Sequence, residues 1–258
     1  MAKIFLIGGA EDRKDEKYIL RRIAELSKNK IIGVCSSALK ENPLECYYSY
    51  EHAFNQLDAR TVKLDIRNNK EADSKENLDL LEELDVIFFT GGDQVVLYET
   101  FKNTKFLKVL KDRIKNNKVV YCGTSAGSMV AAETMIYDGD YKGLIKGTLN
   151  SSDGFGLVKD IVIDTHFLHR IRMERICQGL LSGISIRGVG LPENGGILIE
   201  GDICEIVGEN RVTFSDTSTV KINRYKETQD GKKFPVINLT VTMLNDGDKF
   251  DLKNWKAL

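Results

Sequence analysis

The chain has 258 residues and a formal net charge of −1, with 42% hydrophobic and 29% charged residues. This length can bury a sizeable core, so we predict one α/β domain over residues 1–258, and the balanced charge argues against nucleic acid or an anionic membrane as a partner. The five cysteines are scattered and form no CxxC pair, so neither a disulfide framework nor a zinc ribbon is indicated.

Strand-like and helix-like patterns alternate in the first half of the chain. Ile19, Ile23 and Leu26 recur at i, i+4 and i+7, as on one face of a helix. Alternation of this kind predicts a parallel sheet with helices on both faces. The strands, which are nearly continuous apolar runs, are predicted over Lys3–Ile7, Ile31–Cys35, Thr61–Leu64, Val86–Thr90 and Val119–Cys122.

In the second half, a helical pattern over about 168–181 precedes closely spaced strands that are separated by turn signals. Such close spacing implies antiparallel hairpins. We therefore predict a three-layer αβα fold whose mostly parallel central sheet is extended by antiparallel strands. These strands are predicted over Ser185–Leu191, Gly196–Glu200, Ile203–Val207, Arg211–Phe214, Val220–Ile222 and Val236–Leu244.

Gly123, Ser125 and Gly127 fit the G-x-S-x-G pattern of a nucleophile elbow, with a buried-strand run before them and strong helix formers after them. A sharp turn in this context raises the serine hydroxyl above the sheet, and small flanking residues avoid clashes. The amide of Ala126, at the helix start, would point towards a developing oxyanion. The pattern predicts that Ser125 is the nucleophile of a hydrolase. The alternative is a glycine-rich turn with an incidental serine.

A serine nucleophile needs a general base, and the chain contains three histidines. His52 lies in a predicted amphipathic helix, which favours a surface or core role. His166 follows a predicted strand end, where sites gather in open α/β sheets, whereas His169 lies three residues further on. We therefore favour His166 over His169 as the base.

The third member of such a triad is a carboxylate that orients the imidazole. Glu193 follows an apolar strand and lies in a tight turn, so it is a plausible partner. On spacing alone, Asp164 and Glu174 are alternatives.

Two further motifs lie near predicted strand ends. Gly91 and Gly92 follow a strand, where a backbone amide could supply a second oxyanion donor, although they could equally form a turn that starts a helix. Arg170, Arg172 and Arg175 crowd the region after the candidate base, and arginine suits bidentate recognition of carboxylates. They predict an anionic substrate, with a solvated basic helix face as the alternative.

Several short segments occur in a specific order and spacing along the chain: IGGAED (7–12), TGGDQ (90–94), GTSAGS (123–128), DTHFLHRIRMER (164–175), GVGLPE (188–193) and LNDGDKFDL (244–252). In these segments the chain resembles the cyanophycinases and the wider dipeptidase E-like serine peptidases. The arginine-rich segment and the GGDQ turn favour the cyanophycinases within this group.

This resemblance implies a Ser-His-Glu triad of Ser125, His166 and Glu193, with an oxyanion hole formed by the amides of Gly92 and Ala126. It also implies a fold like that of the class I glutamine amidotransferases. Such enzymes commonly form homodimers and need no metal or other cofactor.

The implied substrate is cyanophycin, a poly-aspartate chain carrying arginine on each β-carboxylate, from whose end β-Asp-Arg dipeptides are released. Gln94, Arg170, Arg172 and Arg175 would hold it. One alternative is a dipeptidase E-like enzyme for short α-aspartyl or isoaspartyl peptides, and another is a non-catalytic binding protein on the same fold.

Three residues depart from the pattern of the family, which more often has Gln at the position of Thr165, Gly at that of Ile171 and an acidic residue at that of Pro192. These departures affect the expected substrate pocket rather than the nucleophile.

The amino terminus lacks an apolar region of signal-peptide length, and no segment has the apolar length of a membrane span. We therefore expect a cytoplasmic enzyme.

Overall fold

The computed structural model describes residues 1–139 and 143–258. Its helices are α1 (Tyr18–Leu26), α2 (Pro43–Asn55), α3 (Asn69–Ala72), α4 (Lys75–Glu83), α5 (Gln94–Phe101), α6 (Lys105–Lys115), α7 (Ala126–Met129) and α8 (Met173–Leu181). Its strands are β1 (Lys3–Ile7), β2 (Ile31–Cys35), β3 (Arg60–Leu64), β4 (Val86–Phe89), β5 (Val120–Thr124), β6 (Thr134–Asp138), β7 (Leu149–Asp153), β8 (Val162–Asp164), β9 (Arg187–Gly190), β10 (Gly195–Glu200), β11 (Ile203–Gly208), β12 (Val212–Asp216), β13 (Thr240–Leu244), β14 (Lys249–Asp251) and β15 (Lys256–Ala257).

A nine-stranded sheet in the order β15-β14-β11-β10-β1-β5-β4-β2-β3 forms the centre of the fold. Strands β1 to β5 are parallel to their neighbours among themselves, while β10, β11, β14 and β15 continue the sheet with antiparallel pairing. The predicted mostly parallel sheet with an antiparallel extension is therefore confirmed.

The side chains of β1 alternate between two cores because successive residues of a strand point to opposite faces. Phe5 and Ile7 pack in the core that includes side chains of α1 and α2. Ile4 and Leu6 pack in the core that includes side chains of α4, α5 and α6. Burial on both faces explains why the parallel strands are continuous apolar runs in the sequence.

A second sheet, in the order β13-β12-β9-β8, contributes to the same core as α4 to α6. Strands β9 and β12 were correctly predicted from the sequence, but they pair in this second sheet rather than extending the central one. No strand forms over 220–222, where Ile222 is exposed. The ribbon of β6 and β7 was not predicted, because the largely exposed residues of β7 have no apolar alternation.

Helix α8 begins at Met173, five residues after the start expected from the pattern. Ile171 has a φ of 50°, which a right-handed helix cannot accommodate, so the preceding residues form a turn.

The buried Cys35, Cys122, Cys177 and Cys204 are core side chains, and burial raises the pKa of Cys35 to about 11. None of the helices formed by the described residues combines the length and apolarity that crossing a membrane requires.

Candidate active site

Ser125 lies in the turn between β5 and α7 with φ 52° and ψ −112°, a backbone conformation that costs energy in any residue with a side chain. The two glycines of the motif make this turn possible. A Cβ on Gly123 would lie 2.3 Å from the carbonyl oxygen of Gly127, and a Cβ on Gly127 would lie 2.3 Å from that of Phe89. The turn therefore requires glycine at both positions.

The Ser125 hydroxyl oxygen lies 2.9 Å from Nε2 of His166, and Nδ1 of His166 lies 2.7 Å from Oε1 of Glu193. Because an ionised carboxylate only accepts hydrogen bonds, Nδ1 carries the proton of the neutral imidazole. Nε2 is then left to accept from the serine hydroxyl. An imidazole held in this way can take the hydroxyl proton.

The other histidines stand apart from the serine. Nε2 of His169 lies 3.6 Å from the second carboxylate oxygen of Glu193, but its side chain is 54% exposed. His52 contacts Gln56 within one turn of α2. Of the three histidines, His166 is the one that the fold brings to Ser125.

The loop after β1 holds the segments that carry these three side chains. Three successive carbonyls, from the last residue of β1 into this loop, each accept a backbone amide: Ile7 that of Ser125 (3.0 Å), Gly8 that of His166 (2.8 Å) and Gly9 that of Asn194 (2.9 Å). Gly9 has a φ of 104°, and a Cβ there would lie 2.4 Å from Cε1 of His166. The loop therefore fixes the positions of the three segments. It leaves room for the imidazole only because residue 9 is glycine.

A cavity of about 800 Å³ opens over Ser125 and His166. Gln94, one of its lining residues, donates a side-chain hydrogen bond to the Ile136 carbonyl at 3.2 Å. Roles for Gln94 and the three arginines of this lining were predicted from the sequence. No role was predicted for Glu11, although it follows β1 as the other candidates follow their strands. The other lining residues without a predicted role include Arg13, Tyr50, Tyr137 and Asp138.

The three arginines differ in their surroundings. Asp164 is fully buried, with an oxygen 3.3 Å from Nη1 of Arg172 and another 2.8 Å from Nε of Arg175. Arg170 is exposed at the cavity and forms no ion pair with residues 1–139 or 143–258. Asp164 is thus committed to two arginines, and Glu174 is exposed on α8, so neither takes the place of Glu193.

A model of peptidase family S51 matches residues 4–207. The chain belongs to peptidase family S51. It is 28% identical to a cyanophycinase of Geminocystis herdmanii over 262 residues, covering all of this chain and 96% of that protein. It is 29% identical to a cyanophycinase of Synechococcus elongatus, covering 97% of this chain and 79% of that protein. A peptidase E of Haemophilus influenzae is 23% identical over 54% of this chain and 60% of its own length.

Solved structures share the fold of this S51 peptidase. A peptidase from an acI-B1 Actinobacterium superposes with a TM-score of 0.69 at 19% identity, covering 97% of this chain and 96% of that one. A putative peptidase E from Listeria monocytogenes superposes with a TM-score of 0.58 at 20% identity, covering 80% of this chain and 98% of that one. The resemblance recognised from short segments is therefore confirmed at the level of family and fold.

Burial lowers the pKa of His166 in this peptidase by disfavouring the charged imidazolium. The cations Arg170 and Arg172 lower that pKa further, while the hydrogen bond and charge of Glu193 raise it. The net shift is downward, so the imidazole is neutral and able to accept a proton at neutral pH.

The backbone amides of Gly92 and Ala126 are among those near Ser125 that have no hydrogen-bond acceptor within the part of the chain that the structure describes, as are those of Gly91 and Gly127. Ala126 begins α7, and the first amides of a helix have no partner within it. Gly92 has a φ of 141°, and a Cβ there would lie 2.4 Å from the carbonyl oxygen of Ala38. Both amides are available to a ligand.

Proposed function

We propose that this S51 peptidase is a serine-type exopeptidase that hydrolyses the poly-aspartate backbone of cyanophycin and releases β-Asp-Arg dipeptides. The observation that carries the proposal is the hydrogen-bonded series of Ser125, His166 and Glu193 at a cavity. The full-length similarity to cyanophycinases supports the choice of substrate.

In this mechanism, the Ser125 oxygen attacks the carbonyl carbon of the scissile bond while Nε2 of His166 takes the hydroxyl proton. The imidazolium, stabilised by Glu193, then gives this proton to the departing amine nitrogen, leaving an acyl ester on the serine. Water attacks the ester with the imidazole again as base, which frees the acid and restores the hydroxyl. The amides of Gly92 and Ala126 stabilise the oxyanion of both tetrahedral intermediates.

The polar side chains of the cavity are proposed to hold the substrate. The exposed guanidinium of Arg170 is available to bind a substrate carboxylate directly. Arg172 and Arg175, which are buried against Asp164, add positive potential to the same cavity, and Gln94 contributes an amide. A single peptidase domain over residues 1–258, homodimer formation and a cytoplasmic location stay predictions from the sequence.

Product analysis with purified cyanophycin tests this function. We expect β-Asp-Arg as the product, and we expect Ser125→Ala to lower the rate by about a thousandfold or more while the exposed control Ser151→Ala has no effect. Turnover of Asp-X dipeptides without turnover of cyanophycin would favour the dipeptidase E-like alternative. Retained activity in Ser125→Ala would refute the serine mechanism, and absence of any hydrolysis would favour a binding protein.

A further inference from the structure

Glu11 places in the cavity wall a carboxylate that no step of the proposed mechanism uses. The residue is only 5% exposed, yet it lines the same cavity as Ser125. One of its oxygens accepts the hydroxyl of Thr124 at 2.6 Å, and the other accepts that of Tyr50. Because a carboxylate has about four acceptor sites, two hydroxyls leave it able to accept further donors.

The charge of Glu11 has no cationic partner: it forms no ion pair with any residue of 1–139 or 143–258. The neighbouring Arg13 forms no ion pair with Glu11: its Nη1 donates to Ser49 at 3.2 Å, and its guanidinium lies 4.9 Å from the ring centre of Tyr50, whose hydroxyl binds Glu11. Burying a carboxylate without a cation is costly, and hydroxyl donors compensate only in part. A cationic group entering the cavity would complete this site.

The position of Glu11 relates it to the reaction centre. Glu11 binds Thr124, which directly precedes Ser125. Arg170 lies one turn after His166, and the Arg170 amide donates to the His166 carbonyl at 2.9 Å. A negative and a positive side chain are therefore attached to the two segments that carry the nucleophile and the base. This arrangement suits a substrate that carries both a cation and a carboxylate.

We propose that Glu11 binds a cationic nitrogen group of the substrate and thereby selects cationic aspartyl chains over neutral ones. This inference rests on the proposed function. Two groups of the proposed substrate have this chemistry: the guanidinium of the arginine on each β-carboxylate and the α-ammonium at the chain end. Either would donate charge-assisted hydrogen bonds to the free acceptor sites of the carboxylate.

The test uses three short substrates of equal length: a β-Asp-Arg oligomer, its citrulline analogue, which replaces each guanidinium by a neutral group of the same shape, and its N-acetylated form. We expect the wild type to prefer arginine over citrulline, or the free amine over the acetylated form, by roughly tenfold to a hundredfold in kcat/KM. Glu11→Gln should abolish that preference, because it lowers kcat/KM for the cationic substrate more than for its neutral analogue. The pair of substrates between which the wild type discriminates identifies the bound group. The control Glu209→Gln, at an exposed residue, should leave the substrate preference unchanged.

Several outcomes would overturn the proposal. Equal kcat/KM values of the wild type for the charged and the neutral substrates would by themselves refute the cation site. A uniform loss in Glu11→Gln on all three substrates would mean that Glu11 only supports Thr124 and Tyr50. Calorimetric binding of the same oligomers to Ser125→Ala measures the preference without hydrolysis, so a failure of the proposed reaction is distinguished from a failure of the cation site.

Discussion

Replacing Gly9 by alanine tests whether the loop after β1 positions the imidazole. The added Cβ would lie 2.4 Å from Cε1 of His166. Carbon atoms pack at about 3.5–4.0 Å, so the ring must retreat by roughly 1 Å. Such a shift would lengthen the 2.9 Å contact between Nε2 of His166 and the Ser125 oxygen beyond hydrogen-bond range. A displacement of this size can cost about a hundredfold in rate.

The matched control is Gly183→Ala. Gly183 has a φ of 91°, comparable to the 104° of Gly9, but a Cβ there would meet nothing within 4 Å. Both substitutions force alanine into a left-handed conformation, at a cost of about 1–2 kcal/mol in unfolding free energy. Only Gly9→Ala should lower kcat, measured by steady-state hydrolysis, with unfolding followed by urea titration. Equal kcat values in two folded variants would refute the positioning argument.

Three further predictions concern electrostatics and stability. Arg170→Ala removes a cation that lowers the pKa of His166, so we expect that pKa to rise and the acidic limb of the kcat/KM profile to move to higher pH. The control Arg60→Ala, at an exposed residue that begins the edge strand β3, should not move this limb. Asp164→Asn removes a buried carboxylate that pairs with Arg172 and Arg175 and should lower the unfolding free energy by about 3–5 kcal/mol in urea titration. An unchanged midpoint would contradict the buried ion pairs. Ser128→Ala removes the acceptor of the Ile7 amide and should cost about 1–3 kcal/mol while fluorophosphonate labelling of the nucleophile persists.

Much of the central sheet was predictable because its signals are local. The apolar runs of β1 to β5 were identified to within two residues at each end, since strands that are buried on both faces leave no polar positions. Pairing was harder. Residues 187–190 read as a strand, but only the packing of the chain decided that they join β8 and β12 instead of the central sheet.

The arginine-rich segment shows a similar limit. Its composition indicated carboxylate recognition. Composition did not show, however, that Arg172 and Arg175 are buried against Asp164 while Arg170 stays exposed. Glu11 was visible in a shared segment, yet its burial without an ion pair to residues 1–139 or 143–258 is a property of the folded chain.

By itself, the sequence determined which residues could carry the chemistry: a serine between two glycines, and a histidine and a glutamate that each follow a strand. Their assembly is a tertiary property, because Ser125 and His166 are 41 residues apart and His166 and Glu193 are 27 apart. The order of the strands brings these segments together, and three successive carbonyls at the end of β1 hold them. Periodicity describes neighbours along the chain, whereas the 2.9 Å and 2.7 Å contacts of the imidazole depend on which strands become neighbours in space.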